Sequence, residues 1–417
     1  MVHRDSRIVE NFLADTWWYG LSKRLPAKDF EELAALRAGQ GFSAIQLVVG
    51  VPPEVGPENE NAQSEAGFPW TLDGHFNQEY LDLARDRIRY LNNLGLVAIV
   101  YGAWGQQIEW IGQERIAGWW FKIIETLDAL NVIYCLCGES NLWIGEASKL
   151  LPAKSTDDLV ANRFVLPGFR AGVRKPWIKF VGKVKLWLHK HPLKRRRRAW
   201  SLVLGEMARK TEKPIIVHPT AGETGYEAIV NPELLAANTA QTGHSESSRN
   251  RIWQLPLASH QDGRTGKGYI NLEPWYEGIR DRFWVQDQLF AYWASMLAGA
   301  ISHCYGAHGI WNVGDGKFLA HWGKQTFEQA RALDTPRLLG LSHGQFLLRA
   351  PRQGETFYQV KGDELHTIGR ESGRRMVQFF PDIATADHVP AGEIWLPLEG
   401  TFAGALPARG QVVIFRD

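Results

Sequence analysis

The chain has 417 residues, 45% of them hydrophobic and 22% charged, the balance of an ordinary globular protein with room for one large core. No apolar run reaches the roughly 18 residues that spanning a bilayer needs, and 47 basic against 45 acidic residues leave a formal net charge of +2. No chain-wide field therefore argues for nucleic acid, and any basic patch must be local. Cys135, Cys137 and Cys304 read as small core residues, the first two alternating on one buried strand, a poor arrangement for a mutual disulfide. The N-terminus shows no apolar signal core before its first strand. The expected compartment is the cytoplasm for the chain as given, or a secreted or periplasmic one if a leader was trimmed.

Apolar, β-branched runs alternate with helical stretches, the pattern of parallel strands joined by crossover helices. Strand one is expected at 11–17, a helix at 27–38 and strand two at 43–49, followed by a long loop to residue 77. A helix over 78–94, with Leu81, Ala84, Ile88 and Leu91 on one face, leads into strand three at 97–101. A helix at 115–130 precedes strand four at 132–136, which runs into Cys137-Gly138-Glu139-Ser140-Asn141. Regularity then fails until a helix at 199–210. Strand five follows at 214–218, strand six near 238–241, strand seven at 268–272, a helix at 285–298 and strand eight at 300–305. A last helical stretch near 327–347 gives way to period-two runs at 375–380, 393–398 and 411–415. The fold class is thus α/β: a (β/α)8 TIM barrel over residues 1–347, with a basic insertion at about 151–198, and a small β-sandwich-like domain over 348–417.

In such a barrel the loops after the strands share one open face, so reactive side chains should cluster just beyond each run. Asp15, Trp17 and Trp18 follow strand one, Gln46 lies in strand two, Tyr101 and Trp104 follow strand three, and Glu139 and Asn141 follow strand four. His218, Gln241, His244, Glu273, Trp275, Tyr276, Glu277, Tyr305, His308 and Trp311 complete the ring. Cleaving a glycosidic bond needs one carboxyl group to protonate the leaving oxygen and a second to attack or stabilise the anomeric carbon. Glu139 and Glu273, on opposing parts of the rim, can reach inward to roughly 5 to 5.5 Å, the separation of retaining enzymes. On this reading Glu273 is the nucleophile. Glu139, beside the apolar 135–137 segment, is the acid/base, its proton held by partial burial. Glu277, four residues on, is the rival acid, or a residue that orients Glu273 or a hydroxyl.

His218, His244 and His308 are far apart in sequence, and no helix carries two of them at ligand spacing. They are expected to bind sugar hydroxyls or to be structural, with no metal and no cofactor. Eighteen tryptophans is an unusual number, and flat sugar faces are one ligand that would cover an indole. Trp17, Trp18, Trp104, Trp275 and Trp311 are the candidates for stacking. Trp119, Trp120 and Trp293 fall inside helices and are expected to pack on the barrel. The insertion carries Lys175, Lys179, Lys183, Lys185, Lys190 and the run 194–198, interleaved with Trp177, Phe180, Trp187 and Leu188. Either it is a solvated lid, or it makes weak contact with a polyanion or membrane surface along 175–198.

Taken together, Phe12-Leu13-Ala14-Asp15-Thr16-Trp17-Trp18, Gly138-Glu139-Ser140-Asn141, Gln241-Thr242-Gly243-His244, Glu273-Pro274-Trp275-Tyr276-Glu277-Gly278 and Tyr305-Gly306-Ala307-His308-Gly309-Ile310-Trp311 resemble the apiosidase-like barrel family of glycoside hydrolases. The resemblance runs in order over roughly residues 8–347. It implies a retaining-type barrel with acids on strands four and seven, often followed by a small β-domain, and members typically carry a secretion signal. The strand-four acid of the family is commonly an Asp in a Gly-Gly-Asp setting, and Gly138-Glu139 stands in its place here. A longer acid changes reach, which separates reaction type from substrate. The expected activity is hydrolysis of a glycosidic bond in a poly- or oligosaccharide. The alternative is a non-catalytic carbohydrate-binding protein that kept the barrel and its aromatic rim.

Overall fold

A computed structural model describes residues 9–142, 193–262, 267–351 and 354–417. Most of the basic insertion, residues 143–192, lies outside them. Eight parallel strands form one sheet: β1 (Leu13–Trp17), β2 (Ala44–Val48), β3 (Val97–Tyr101), β4 (Val132–Cys135), β5 (Ile215–Ile216), β6 (Asn238–Gln241), β7 (Tyr269–Glu273) and β8 (Ala300–Tyr305). Their order, β5-β4-β3-β2-β1-β8-β7-β6, brings the two ends of the sheet together. The seam is spanned by the Ala236 amide donating to the Ile215 carbonyl at 2.8 Å and the Thr239 hydroxyl donating to the Val217 carbonyl. All eight expected strands are present. Strand five is shorter than its sequence run, because Pro214 has no amide to pair and the chain beyond Val217 turns into the site loop.

The helices are α1 (Ala27–Gly39), α2 (Gln78–Asn93), α3 (Gln107–Ile111), α4 (Gln113–Leu127), α5 (193–210), α6 (Gly225–Ala228), α7 (Arg251–Asp262), α8 (Val285–Leu297), α9 (Phe327–Arg331) and α10 (Thr335–Arg349). The stretch expected as one helix near 327–347 is two, broken where Pro336 opens α10; proline fits a first helical turn, where no amide bond is lost. Two tryptophans of α4 do more than pack. The Trp119 indole donates to the carbonyls of Val49 and Gly102, and that of Trp120 to Leu136, so α4 braces the ends of β2, β3 and β4. Trp200 of α5 does the same for the loop after β3, donating to Gly105 at 3.0 Å. These bonds satisfy carbonyls where the strand ladders stop, and they fix the loops that carry the site.

The chain then forms a six-stranded antiparallel sheet: β9 (Glu355–Lys361), β10 (Glu364–Ser372), β11 (Arg375–Phe380), β12 (Glu393–Leu396), β13 (Thr401–Ala403) and β14 (Val412–Arg416). The period-two pattern places Val377, Phe379, Val413 and Phe415 in the main core, where Trp293 of α8 meets Phe379 and Phe415. Met376, Phe380, Val412 and Ile414 face the other way and are covered by Ile383. The sequence pattern missed β9, β10 and β13. Most of β9 is exposed on an edge, so it lacks the alternation that marks a half-buried strand.

Inside the barrel wall, the Asp15 carboxylate accepts from Arg37 Nε at 2.6 Å, from the Trp17 indole and from the Thr16 amide, and the Asp15 and Arg37 side chains are wholly buried. Asp15→Ala would leave the guanidinium buried without its counter-charge. A loss of about 3–5 kcal/mol is expected from such a broken pair, read by urea unfolding of both proteins. A loss under about 1 kcal/mol would show that this pair does not hold the barrel wall.

Candidate active site

The open face lies at the strand ends, as expected, and backbone pairing continues past them. Gly138 donates to Ala103 and Gly105 to Gly138 between the loops after β3 and β4, while Ser140 donates to His218 and His218 to Cys137 between β4 and β5. Thr242 donates to Glu273 between β6 and β7. The site therefore stands on extended ladders. Glu139 adopts a left-handed backbone, φ 45°, which a non-glycine residue adopts at a cost of order 1–3 kcal/mol. Beside it, Gly138 has to be glycine: a Cβ there would meet the Trp104 ring at 2.5 Å. That close approach lets the Trp104 indole donate to Glu139 Oε2 at 3.1 Å.

Glu273 ends β7 and is buried. Its Oε1 accepts from Gln241 Nε2 and His244 Nε2, both at 2.7 Å, and its Oε2 lies 3.4 Å from His218 Nε2. The Tyr276 amide faces His244 Nδ1 at 3.4 Å, which makes Nδ1 the acceptor and leaves the ring proton on Nε2, pointing at Glu273. Gln241 Nε2 also lies 3.3 Å from Glu139 Oε1. One amide nitrogen thus serves both acids. Acceptor oxygens at those two lengths from one nitrogen stand no more than about 6 Å apart.

The two carboxyl groups are driven in opposite directions. Burial, and then the charge of Glu273, push Glu139 up to about 8. Burial also pushes Glu273 up, but the hydrogen bond from His244, the fields of His244 and His218 and the bond from Gln241 outweigh it and hold Glu273 below the ordinary carboxylate range. Near neutrality the pair is one acid and one anion. His218 is held neutral by burial, its pKa lowered to about 4.

Around the acids lies an aromatic bed. Trp18 meets Tyr101 and Trp104 edge-on at 4.8 and 5.2 Å and donates through its indole to the Tyr276 hydroxyl. Tyr276 in turn packs on His244 and Trp311. Gln46 lies beneath, accepting from the Tyr101 hydroxyl and donating to Thr16 and to the Leu272 carbonyl across the barrel interior. Asn141 sits at the edge, tying the Thr220 loop to Glu223.

Several expected site residues are instead committed within the protein. Asp15 and Trp17 face α1, where Trp17 packs on Phe30 and Asp15 pairs with Arg37. Trp275 stacks on Phe283 at 4.7 Å and donates to Ser245 and Ser248. Glu277 accepts from the hydroxyls of Tyr305 and Thr335, so both Glu277 and Tyr305 face α10; burial raises Glu277 to about 7. It neither touches nor orients Glu273 in the way expected of the rival acid. His308 is buried against Trp311 and held neutral by burial, its pKa lowered to about 4. In β1 the physical reason is parity: Thr16 takes the inward position, and Asp15 and Trp17 point to the other side of the wall. β7 ends at Glu273 and Pro274 follows, so strand alternation stops there and Trp275 and Glu277 turn away although they share the phase of Glu273.

The sequence reading also missed residues on loops distant from the strand ends. Glu54, after β2, accepts from the indole of Trp322 and from His321 Nε2 (3.2 Å), joining the loop after β2 to the one after β8. Trp322 lies 6.5 Å from His244 and under the Arg280 guanidinium. It is only partly buried, unlike Trp18, Trp104 and Trp311. The His321-Trp322-Gly323 stretch gave an aromatic signal, but nothing in the sequence said that its loop folds back over the mouth.

Of the basic run, Arg196 pairs with Glu109 and Arg197 donates to the Ile229 carbonyl, while Lys194, Arg195 and Arg198 face solvent. Among the described residues no group of three His, Cys, Asp or Glu side chains could hold a metal ion, and no helix is long and apolar enough to cross a membrane. The three cysteines are buried and free.

The catalytic-domain model of the Apiosidase-like family matches residues 10–334. Solved structures similar to the chain include a glycoside hydrolase family 5 protein from Bacteroides vulgatus, with a TM-score of 0.70 at 15% identity, covering 97% of this chain and 89% of that one. Another, titled glycoside hydrolase, has a TM-score of 0.71 at 14% identity, covering 97% and 92%. At these identities the likeness is one of fold. Among curated proteins none matches.

Proposed function

The chain belongs to the Apiosidase-like family, and from that premise we propose that it is a retaining glycosidase acting on an oligo- or polysaccharide, with Glu273 as nucleophile and Glu139 as acid/base. One observation carries this reading: two carboxyl groups, one held as acid and one as anion, hydrogen-bonded to a single amide nitrogen. Oxygens bridged by one nitrogen at these lengths stand within about 6 Å of each other, short of the 6.5–9.5 Å that inverting enzymes need for a water, which supports the retaining reading.

In the first step Glu273 forms a bond to the anomeric carbon as the bond to the leaving oxygen breaks, and the Glu139 proton passes to that oxygen. In the second, Glu139 takes a proton from water, the water oxygen bonds to the anomeric carbon, and the electron pair of the glycosyl ester returns to Glu273. Trp104 and Gln241 donate to Glu139 once it is charged. His244 donates to Glu273. The test is a panel of aryl glycosides of different sugars, with the first-formed anomer read by NMR. Retained configuration is expected, and an inverted first product would overturn the assignment of Glu273.

Trp322 is a part-exposed indole beside His244. Trp322→Ala is expected to raise KM about three- to tenfold with little change in kcat, the size of one stacking contact. Initial rates on the active glycoside decide it, and an unchanged KM would remove Trp322 from the substrate site.

A further inference from the structure

Gln241 stands between two groups that exchange a negative charge during the proposed reaction. Its amide orientation is fixed from behind: the Ala221 amide donates to Gln241 Oε1 at 3.0 Å, so Nε2 must face the carboxylates. Gln241 itself is buried and ends β6, a rigid place from which to donate. Both its hydrogens are used inside the protein, 2.7 Å from Glu273 and 3.3 Å from Glu139, which leaves none for a sugar hydroxyl. The residue expected to bind substrate is thus spoken for.

We propose that Gln241 is a positioning residue that holds the two carboxylates at their working separation and stabilises whichever of them carries the charge. The inference rests on the assignment of Glu139 and Glu273 given above. Before the first step the anion is Glu273, and the shorter bond is to Glu273. When the glycosyl ester forms, Glu273 becomes neutral and Glu139, having given its proton to the leaving oxygen, becomes the anion. The second hydrogen of the same amide already points at it. A donor in place before the charge arrives needs no reorganisation at the moment of reaction, which is how fixed dipoles accelerate a step. In the second step the charge returns to Glu273 and the original arrangement is restored. His244 reaches Glu273 and Trp104 reaches Glu139, whereas Gln241 reaches both.

Two variants test this. Gln241→Met keeps the volume and removes the donors. Gln241→Glu keeps the length and an acceptor for the Ala221 amide, and stands in if the first fails to fold. Each is expected to lower kcat by about a hundredfold, the cost of losing one fixed donor, with KM within about threefold. Both limbs of the pH profile of kcat/KM should move to higher pH, because the amide favours the charged form of each acid. A merely structural role would lower the unfolding temperature or the active fraction and leave the limbs where they were. Unmoved limbs, or a kcat within about threefold of the parent, would overturn the inference. Glu273→Gln run in parallel separates the two failures. If it stays active, the catalytic pair is wrongly assigned; if it is inactive while the Gln241 variants are silent, only the role of Gln241 falls.

Discussion

Glu273→Ala is expected to lower kcat on the best aryl glycoside by at least about a thousandfold while the protein remains folded, because the carboxylate proposed to form the glycosyl intermediate is then gone. The neighbouring acids do not substitute. Glu277 is turned toward Thr335, and Glu139 is held in place by Trp104 and Gln241. The space left by the side chain should admit azide, which attacks the opposite face of the sugar from the leaving group and yields a glycosyl azide of inverted configuration. Recovery of turnover with azide, and that product by NMR, identify the nucleophile. Turnover within tenfold of the parent in the absence of azide would sink the assignment of Glu273. The substitution also frees His244 and Gln241 from their shared acceptor, so a modest loss of stability is expected. Its pH dependence has a defined sign. A carboxyl held below its unfolded value stabilises the fold at higher pH, and that contribution is lost as pH falls through the folded value.

Glu139→Gln should act differently according to the leaving group. For a sugar or other poor leaving group, loss of the general acid is expected to cost about 10²- to 10⁴-fold in rate. For a dinitrophenyl glycoside, whose leaving oxygen needs no proton, the first step should survive and the second become limiting, giving a burst of phenolate. The pH profile gives an independent check. Glu139 works as an acid only while protonated, so kcat/KM should fall as pH rises through about 8, where burial and the charge of Glu273 have placed it. Glu273 works only as an anion, so the rate should fall again as pH drops below the ordinary carboxylate range. In Glu139→Gln the basic limb should vanish. A basic limb that persists unchanged would assign it to another group.

Much of this was legible in the chain order of residues. Eight apolar runs at the right spacing sufficed for the barrel, and polar residues just past them pointed to the face that carries the candidate site. Glu139 and Glu273 could be paired because strands four and seven must oppose one another in a closed sheet. What could not be read was which way alternate side chains point. Barrel strands are buried on both faces, so β1 offers no polar phase to separate Thr16, which bonds inside the barrel to the Tyr305 carbonyl, from Asp15 and Trp17, which face α1. The same ambiguity hid the direction of Tyr305 in β8, while Trp275 and Glu277 lie past the end of β7, where alternation no longer predicts direction.

The sequence by itself determined the order and kind of the elements, because periodicity and β-branching act over a few residues, and it determined which acids would share a face, because topology follows from element order. Tertiary structure alone decided the charge states and the company of those acids. Whether Glu139 keeps a proton depends on its burial and on an anion 134 positions along the chain. Whether Glu273 stays charged depends on His218, Gln241 and His244 converging from β5 and β6. Whether Trp322 borders the cleft depends on Glu54, from the other side of the molecule's chain order. Electrostatics and stacking act through space, across contacts that no local pattern encodes, and the positive φ that aims Glu139 is held by neighbours rather than chosen by the residue itself.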